Sequence, residues 1–116
     1  MIRVFLPAKD LAASRAFYEA LGFTVGYHDD GLAVMQAPDG DGAFFLQNHY
    51  QKDWAENFML DWLVEDLGAW YAAAKPVVEA MGGKGPTVPE LKPWGLVMSD
   101  FIDPAGVCWH VQQKST

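Results

Sequence analysis

The chain has 116 residues, of which 51% are apolar, and it carries a formal net charge of −7. Its length and composition predict a single domain, while its acidic balance disfavours nucleic acid and anionic membrane surfaces as partners and favours a cationic ligand. We find no run of 18 apolar residues and no leader-like N-terminal segment, so we expect a cytoplasmic protein with no membrane partner.

The first half of the chain predicts the order β-α-β-β-β. A strand over residues 2–6 precedes Asp10, which has the side chain of a helix N-cap, and the helix that follows should end at Gly22. Turns rich in Asp and Gly then separate three further strands. We place these strands at residues 23–28, 32–36 and 43–48.

The second half repeats this order, with Asp66 in the place of Asp10, 56 residues further on. A strand over 57–64 precedes a helix that should run to Met81, with a kink or break near Ala74 because Pro76 removes a backbone donor. The last two strands are expected at 95–101 and 107–112, joined by an Asp-Pro-Ala-Gly turn.

The repeat predicts an α+β fold of two tandem βαβββ modules, each of which supplies one curved mixed sheet. Within one domain spanning 1–116, we assign the first module to 1–48, a linker to 49–56 and the second module to 57–116.

Three segments resemble the vicinal oxygen chelate superfamily, which includes glyoxalase I, extradiol dioxygenases and bleomycin resistance proteins. They are LPAKDLAASRAFYEALG at 6–22, LVEDLGAWY at 63–71 and PWGLVMSDFIDPAGVCWHV at 93–111. The resemblance implies paired βαβββ modules, each of which supplies half of a cup, and an assembly of two chains. It decides less about function, since the same fold hosts metal enzymes and metal-free binding proteins.

The metal-dependent members of this family imply four ligand positions, which this chain fills with Arg3, Phe45, Met59 and His110. Arg and Phe cannot ligate a cation, and a thioether is too soft for Mg, Mn, Fe or Zn. We therefore expect no metal, no cofactor and no catalytic residues.

A shifted register leaves an alternative open. Asp61 and Gln47 lie on the same strand faces as Met59 and Phe45, two residues along, and with His110 they would make a metal-dependent lyase or dioxygenase. In a third interpretation, the cup is filled by the protein's own Phe and Met side chains.

Without a metal, the resemblance narrows to the bleomycin resistance type, whose members sequester a drug. Pro93-Trp94-Gly95 and the sequence from Asp103 to His110 match its motifs, which implies that Trp94 stacks on the ligand. The family pattern has an aromatic residue where this chain has Gly31. This departure argues against bleomycin itself as the ligand.

The predicted function is capture of a planar, cationic aromatic antibiotic or metabolite by a homodimer, in a groove lined by Trp94, Phe45 and Trp54. Strand parity puts Arg3 on the face of Phe5 and Asp61 on the face of Met59, and beside each other within a cup Arg3 and Asp61 would form a buried or half-buried ion pair. His110 is expected to bond to a neighbour such as Asp61 or Gln47. The residues that we expect to contact the ligand are Arg3, Phe45, His49, Tyr50, Trp54, Asp61, Trp62, Trp94 and His110.

Overall fold

The computed structural model describes residues 2–115. Its helices are α1 (Leu11–Ala20), α2 (Lys52–Ala55) and α3 (Leu67–Ala80). Its strands are β1 (Phe5–Pro7), β2 (Thr24–His28), β3 (Leu32–Gln36), β4 (Ala43–Gln47), β5 (Met59–Val64), β6 (Glu90–Leu91), β7 (Val97–Ile102) and β8 (Cys108–Gln113). None of the helices within 2–115 has the length and apolar character needed to cross a membrane.

The strands form two four-stranded mixed sheets, which we call the first and the second sheet. The first has the order β1-β4-β3-β2 and the second has the order β5-β8-β7-β6. In each sheet the first strand in sequence pairs parallel with the last, and the other neighbours pair antiparallel. The α+β fold class is therefore confirmed, and both halves of the chain use the same strand order.

Both long helices begin where the sequence predicts an N-cap. A carboxylate oxygen of Asp10 accepts a hydrogen bond from the Ala13 N–H at 3.1 Å, and Asp66 accepts one from the Ala69 N–H at 3.0 Å. These bonds satisfy backbone donors that the first helical turn leaves without partners. At the other end of α1, Gly22 adopts a φ of 100°, a conformation that residues with a side chain rarely adopt.

Several expected boundaries are wrong. Strand β1 begins at Phe5 rather than at residue 2, and of the predicted kink or break near Ala74 the break is absent, because α3 continues through Pro76. The helix loses one backbone hydrogen bond at the proline, but Ala74 and Val78 are both buried on either side of it. The structure also contains β6 and α2, two elements too short to give a periodic pattern in the sequence.

The two sheets share one hydrophobic core. Helices α1 and α3 and the inner faces of both sheets supply its side chains, and aromatic rings from both halves of the chain meet there. Phe23 of the first half packs against Trp62 and Trp109 of the second, with ring centroids 5.1 and 6.0 Å apart. Since neighbouring strand residues point to opposite sides, this arrangement leaves the other face of each sheet outside the core.

A buried hydrogen-bond network crosses this core. Asp103, which is 2% exposed, accepts a hydrogen bond from the Tyr18 hydroxyl at 2.6 Å and two more from the backbone N–H groups of Ala105 and Val107. The indole Nε1 of Trp109 donates to the Tyr18 hydroxyl at 2.9 Å. Burial raises the pKa of Asp103, and its hydrogen bonds partly oppose that rise. The network ties α1 to the turn between β7 and β8.

Changing Tyr18 to Phe should lower the free energy of unfolding by about 1–3 kcal/mol, because buried Asp103 and Trp109 each lose a hydrogen-bond partner. Urea denaturation measures this change. The matched control is Tyr27→Phe, since the Tyr27 hydroxyl also bonds to a carboxylate, that of Asp29, but the side chain is 65% exposed. Equal losses in the two variants would contradict a special role for the buried network.

Candidate ligand-binding surface

The outer face of the second sheet carries a row of polar side chains between exposed apolar ones. Along β8, Trp109 and Val111 point into the core while Cys108, His110 and Gln112 point away from it. Their neighbours on the same face follow from the register of the adjacent strands. These neighbours are Met59, Asp61 and Leu63 on β5 and Met98, Asp100 and Ile102 on β7. We call this set the second-sheet outer face.

A side-chain network holds Trp94 at the edge of this face. Its indole Nε1 donates a hydrogen bond to the Gln112 Oε1 at 2.7 Å, and the Gln112 amide donates in turn to a carboxylate oxygen of Asp61. The turn that carries Trp94 is closed by a bond from the Gly95 N–H to the Lys92 carbonyl. Trp94 is nevertheless 59% exposed, so its indole is fixed in direction and open to solvent.

His110 and Cys108 form a second polar cluster on the same face. The His110 Nδ1 lies 2.6 Å from an Asp100 carboxylate oxygen, and the Cys108 Sγ lies 4.0 Å from the His110 Nε2. Partial burial and then the charge of Asp100 raise the pKa of the Cys108 thiol. The expected partners of His110, Asp61 or Gln47, are wrong, because the antiparallel register of β7 and β8 sets Asp100 directly beside it.

The outer face of the first sheet is aromatic. The Phe5 and Phe45 rings stack with their centroids 4.3 Å apart, and the Arg3 guanidinium lies 4.6 Å from the centroid of Phe45. The expected Arg3–Asp61 ion pair is therefore wrong, and Arg3 forms no ion pair within residues 2–115. The parallel register of β1 with β4 keeps Arg3 over its own sheet, whereas Asp61 belongs to the second sheet.

The linker aromatics form a third group. The rings of His49 and Trp54 lie 6.1 Å apart, and the Lys9 ammonium lies 4.9 Å from the centroid of Tyr50. Trp54 is 58% exposed on α2, and no aromatic pair within 2–115 joins it to Trp94. One chain therefore does not assemble the expected aromatic groove, since its residues lie on three separate surfaces.

Trp62 lies in the core rather than on an outer face. It is 8% exposed and packs against Phe23, Trp70 and Trp109. Its side chain also lines a cavity of about 230 Å³ between the two sheets, together with Asp61. Asp61 and Trp62, two of the nine expected contact residues, therefore line the same cavity.

The alternative metal site does not form within one chain. Gln47 lies on the first sheet, while the carboxylate of Asp61 and the Nδ1 of His110 are engaged by Gln112 and Asp100. In the described part of the chain, no three His, Cys, Asp or Glu side chains are grouped so that they could hold a metal ion.

The sequence did not single out Gln112 or Asp100, which orient Trp94 and His110. Strand parity offered a signal for Gln112, because it lies two residues from His110 and shares its face. That Asp100 is the partner of His110 could be predicted only from the register between β7 and β8.

Comparisons with known proteins agree with this fold. The model of the Glyoxalase/Bleomycin resistance protein/Dioxygenase superfamily matches residues 1–111. The chain is 32% identical over 112 residues to a bleomycin resistance protein of Klebsiella pneumoniae, and the match covers 94% of this chain and 88% of the relative.

Two solved structures are similar over almost the whole chain. A bleomycin-binding protein complexed with bleomycin has a TM-score of 0.80 and 28% identity, and covers 99% of this chain and 98% of its own. A bleomycin resistance determinant encoded on the transposon Tn5 has a TM-score of 0.80 and 26% identity, and covers 100% and 98%.

Trp94 is exposed and Trp62 is buried, so their replacement should change the free energy of unfolding by different amounts. Trp94→Ala should cost about 1 kcal/mol or less, because the side chain is exposed and makes one hydrogen bond to another side chain. Trp62→Ala should cost about 3–5 kcal/mol, because it opens a cavity in the shared core. Thermal and urea unfolding of both variants measure the difference, and a large loss in Trp94→Ala would show that its indole is a packing residue.

Proposed function

Because the chain belongs to the glyoxalase/bleomycin resistance protein/dioxygenase superfamily, we propose that it is a binding protein of the bleomycin resistance type. It captures a planar, cationic aromatic compound and confers resistance by lowering the free concentration of that compound. The relative from Klebsiella pneumoniae and the protein complexed with bleomycin support this proposal, and they make bleomycin the first compound to test.

The orientation of Trp94 is the observation that carries the proposal. A free indole on a loop loses conformational entropy when a ligand stacks on it, whereas the bond to Gln112 already fixes this one. Stacking of a flat ring on such an indole contributes about 0.5–1.5 kcal/mol beyond the burial of apolar area. The exposed indole is therefore prepared for a planar ligand.

The charges near Trp94 favour a cation. Asp61 is linked to Trp94 through Gln112, and Asp100 lies on the same face. The whole chain has a net charge of −7, so the long-range field attracts a cationic ligand as well. Binding of this kind needs no covalent step.

We further propose that two chains form a homodimer in which the first-sheet outer face of each protomer covers the second-sheet outer face of its partner. Both faces expose apolar side chains, with Phe5 45% exposed on the first and Met59 63% exposed on the second. Arg3 on the first face complements Asp61 and Asp100 on the second. Such a dimer would bring Phe45 of one chain towards Trp94 of the other and complete the aromatic groove.

We propose the cytoplasm as the place of action. Cys108 is a free thiol, and a reducing compartment keeps such a thiol from oxidation.

The binding proposal predicts that Trp94→Ala weakens bleomycin binding at least about tenfold, since stacking and burial of the ring are both lost. Isothermal titration of the purified protein with metal-free bleomycin measures the affinity. Tyr27→Ala is the matched control, because it removes a comparably exposed aromatic ring from β2, away from the second sheet. Unchanged affinity in Trp94→Ala would refute the proposed site. No binding by the unaltered protein would refute bleomycin as the ligand.

The dimer proposal predicts that Phe45→Asp shifts the protein from dimer to monomer, because a carboxylate would be buried opposite Asp61 and Asp100 of the partner. Sedimentation velocity at several protein concentrations measures the mass. Ala72→Asp should remain dimeric, since it adds the same charge on the exposed side of α3, a helix that packs against the core side of the sheets. If the unaltered protein were a monomer, the dimer proposal would be wrong. The bleomycin titration would still test the role of Trp94 independently.

A further inference from the structure

A cavity beside the turn between β7 and β8 gathers three lysines, and we call it the lysine cavity. Its volume of about 380 Å³ lies within the range of about 300–1,000 Å³ that is usual for small-molecule sites. Lys9 precedes α1, Lys52 begins α2 and Lys84 follows α3, so three separate parts of the chain each bring a lysine to this cavity. Positive charge is concentrated here although the chain as a whole has a net charge of −7.

Two of these lysines have no acidic partner. Lys9 and Lys84 form no ion pair within residues 2–115, whereas the four other lysines each pair with a glutamate. The pair between Lys52 and Glu56 is the longest of the recorded ion pairs, with 3.9 Å between nitrogen and oxygen. All three lysines are exposed, so their ammonium groups are available to an anionic ligand.

Contacts within the chain hold Lys9 and Lys84 in place at the cavity. The Lys84 N–H donates to the Ile102 carbonyl at 3.0 Å, and the Ile102 N–H donates to the Lys84 carbonyl at 2.9 Å. The Lys9 ammonium lies 4.9 Å from the centroid of the Tyr50 ring, which attracts it and which also lines the cavity. Because these positions are set before a ligand arrives, binding costs less conformational entropy.

Two acidic residues also line the lysine cavity, and they differ in exposure. Asp103 is 2% exposed, and its carboxylate accepts hydrogen bonds from the Tyr18 hydroxyl and from two backbone N–H groups. The side chain of Glu56 is 50% exposed. Three exposed lysines therefore face one exposed carboxylate.

From these observations we propose that the lysine cavity binds a phosphate dianion, either free or carried by a small molecule. A phosphate monoester has a charge of about −1.5 to −2 at pH 7 and three strong acceptor oxygens, so ammonium groups from three directions can each reach one. Lysine binds phosphate as a compact point charge with three donors. A monocarboxylate has half the charge and needs fewer partners.

This site is separate from the surface that carries Trp94. The indole of Trp94 bonds to Gln112, four residues along β8 from Cys108, where the strand leaves the turn beside the lysine cavity. Four strand residues span about 13 Å. The proposal requires neither the drug nor the dimer, so its failure and the failure of the bleomycin titration are distinct results.

Titration of the ¹⁵N-labelled full chain with sodium phosphate tests the proposal, with amide signals followed by NMR in a phosphate-free buffer of low ionic strength. We expect saturable shifts at Gly82, Lys84 and Gly106, which line the cavity, with a dissociation constant of about 1 mM or lower. The indole signal of Trp94 should not move. Sodium acetate should bind at least about tenfold more weakly, because it carries a single charge.

The same titration with phenyl phosphate distinguishes the two sources of the dianion. Tighter binding than that of inorganic phosphate would assign the cavity to a phosphate monoester, because the ring would add contacts with Tyr50 and Ile102. Equal or weaker binding would assign it to free phosphate. Either result supports a phosphate site.

Substitutions at the cavity should change the affinity in opposite directions. Lys9→Gln and Lys84→Gln should each weaken phosphate binding about tenfold, because each removes a charged donor. Glu56→Gln should strengthen it about two- to fivefold, since it removes a like charge and frees Lys52. The melting temperature should stay nearly the same in all three variants, because these side chains are exposed.

The pair Lys75–Glu79 supplies the matched control. It is also a lysine–glutamate pair four residues apart on a helix, and neither residue lines the lysine cavity. Lys75→Gln and Glu79→Gln change the net charge by the same amounts and should leave the phosphate affinity unchanged.

Three results would overturn the proposal. The first is the absence of saturable shifts at the cavity in the unaltered chain. The second is unchanged affinity in both Lys9→Gln and Lys84→Gln. The third is an equal loss of affinity in Lys75→Gln and Lys84→Gln, which would show a general effect of net charge rather than a site.

Discussion

The hydrogen bond from Tyr18 to Asp103 is the contact on which the arrangement of the two sheets depends. It joins a helix of the first half to the turn before the last strand of the second half, inside a core from which water is excluded. Trp109 adds a third member and packs on Phe23, Phe44 and Trp62 of the same core. Because an unpaired carboxyl would be costly to bury there, the network fixes how the two halves meet.

This arrangement decides where ligands can bind. The inner faces of both sheets are committed to the shared core, so the polar and aromatic side chains available for recognition lie on the outer faces. On the second sheet, alternate residues of β8 hold two clusters side by side. Gln112 orients the indole of Trp94, and His110 turns its Nε2 towards Cys108.

Local sequence signals predicted much of the fold but little of the site. Asp10 and Asp66 mark helix starts because an N-cap is an interaction within one turn, and the strands of the first half were recognised from β-branched and aromatic content and from turns. Strand parity tells which residues of one strand share a face. It could not give the partner of His110, which depends on the register of β7 against β8.

Local signals were enough to predict the α+β class, the repeated strand order, the family resemblance and the position of Trp94 in a loop, because helix caps, turns and motifs depend on neighbouring residues. The tertiary structure decided that Arg3 lies over Phe45 rather than beside Asp61, that Trp62 is a core residue, and that the candidate residues occupy three surfaces. Those outcomes follow from which faces of the two sheets are buried together, and no local pattern encodes that choice.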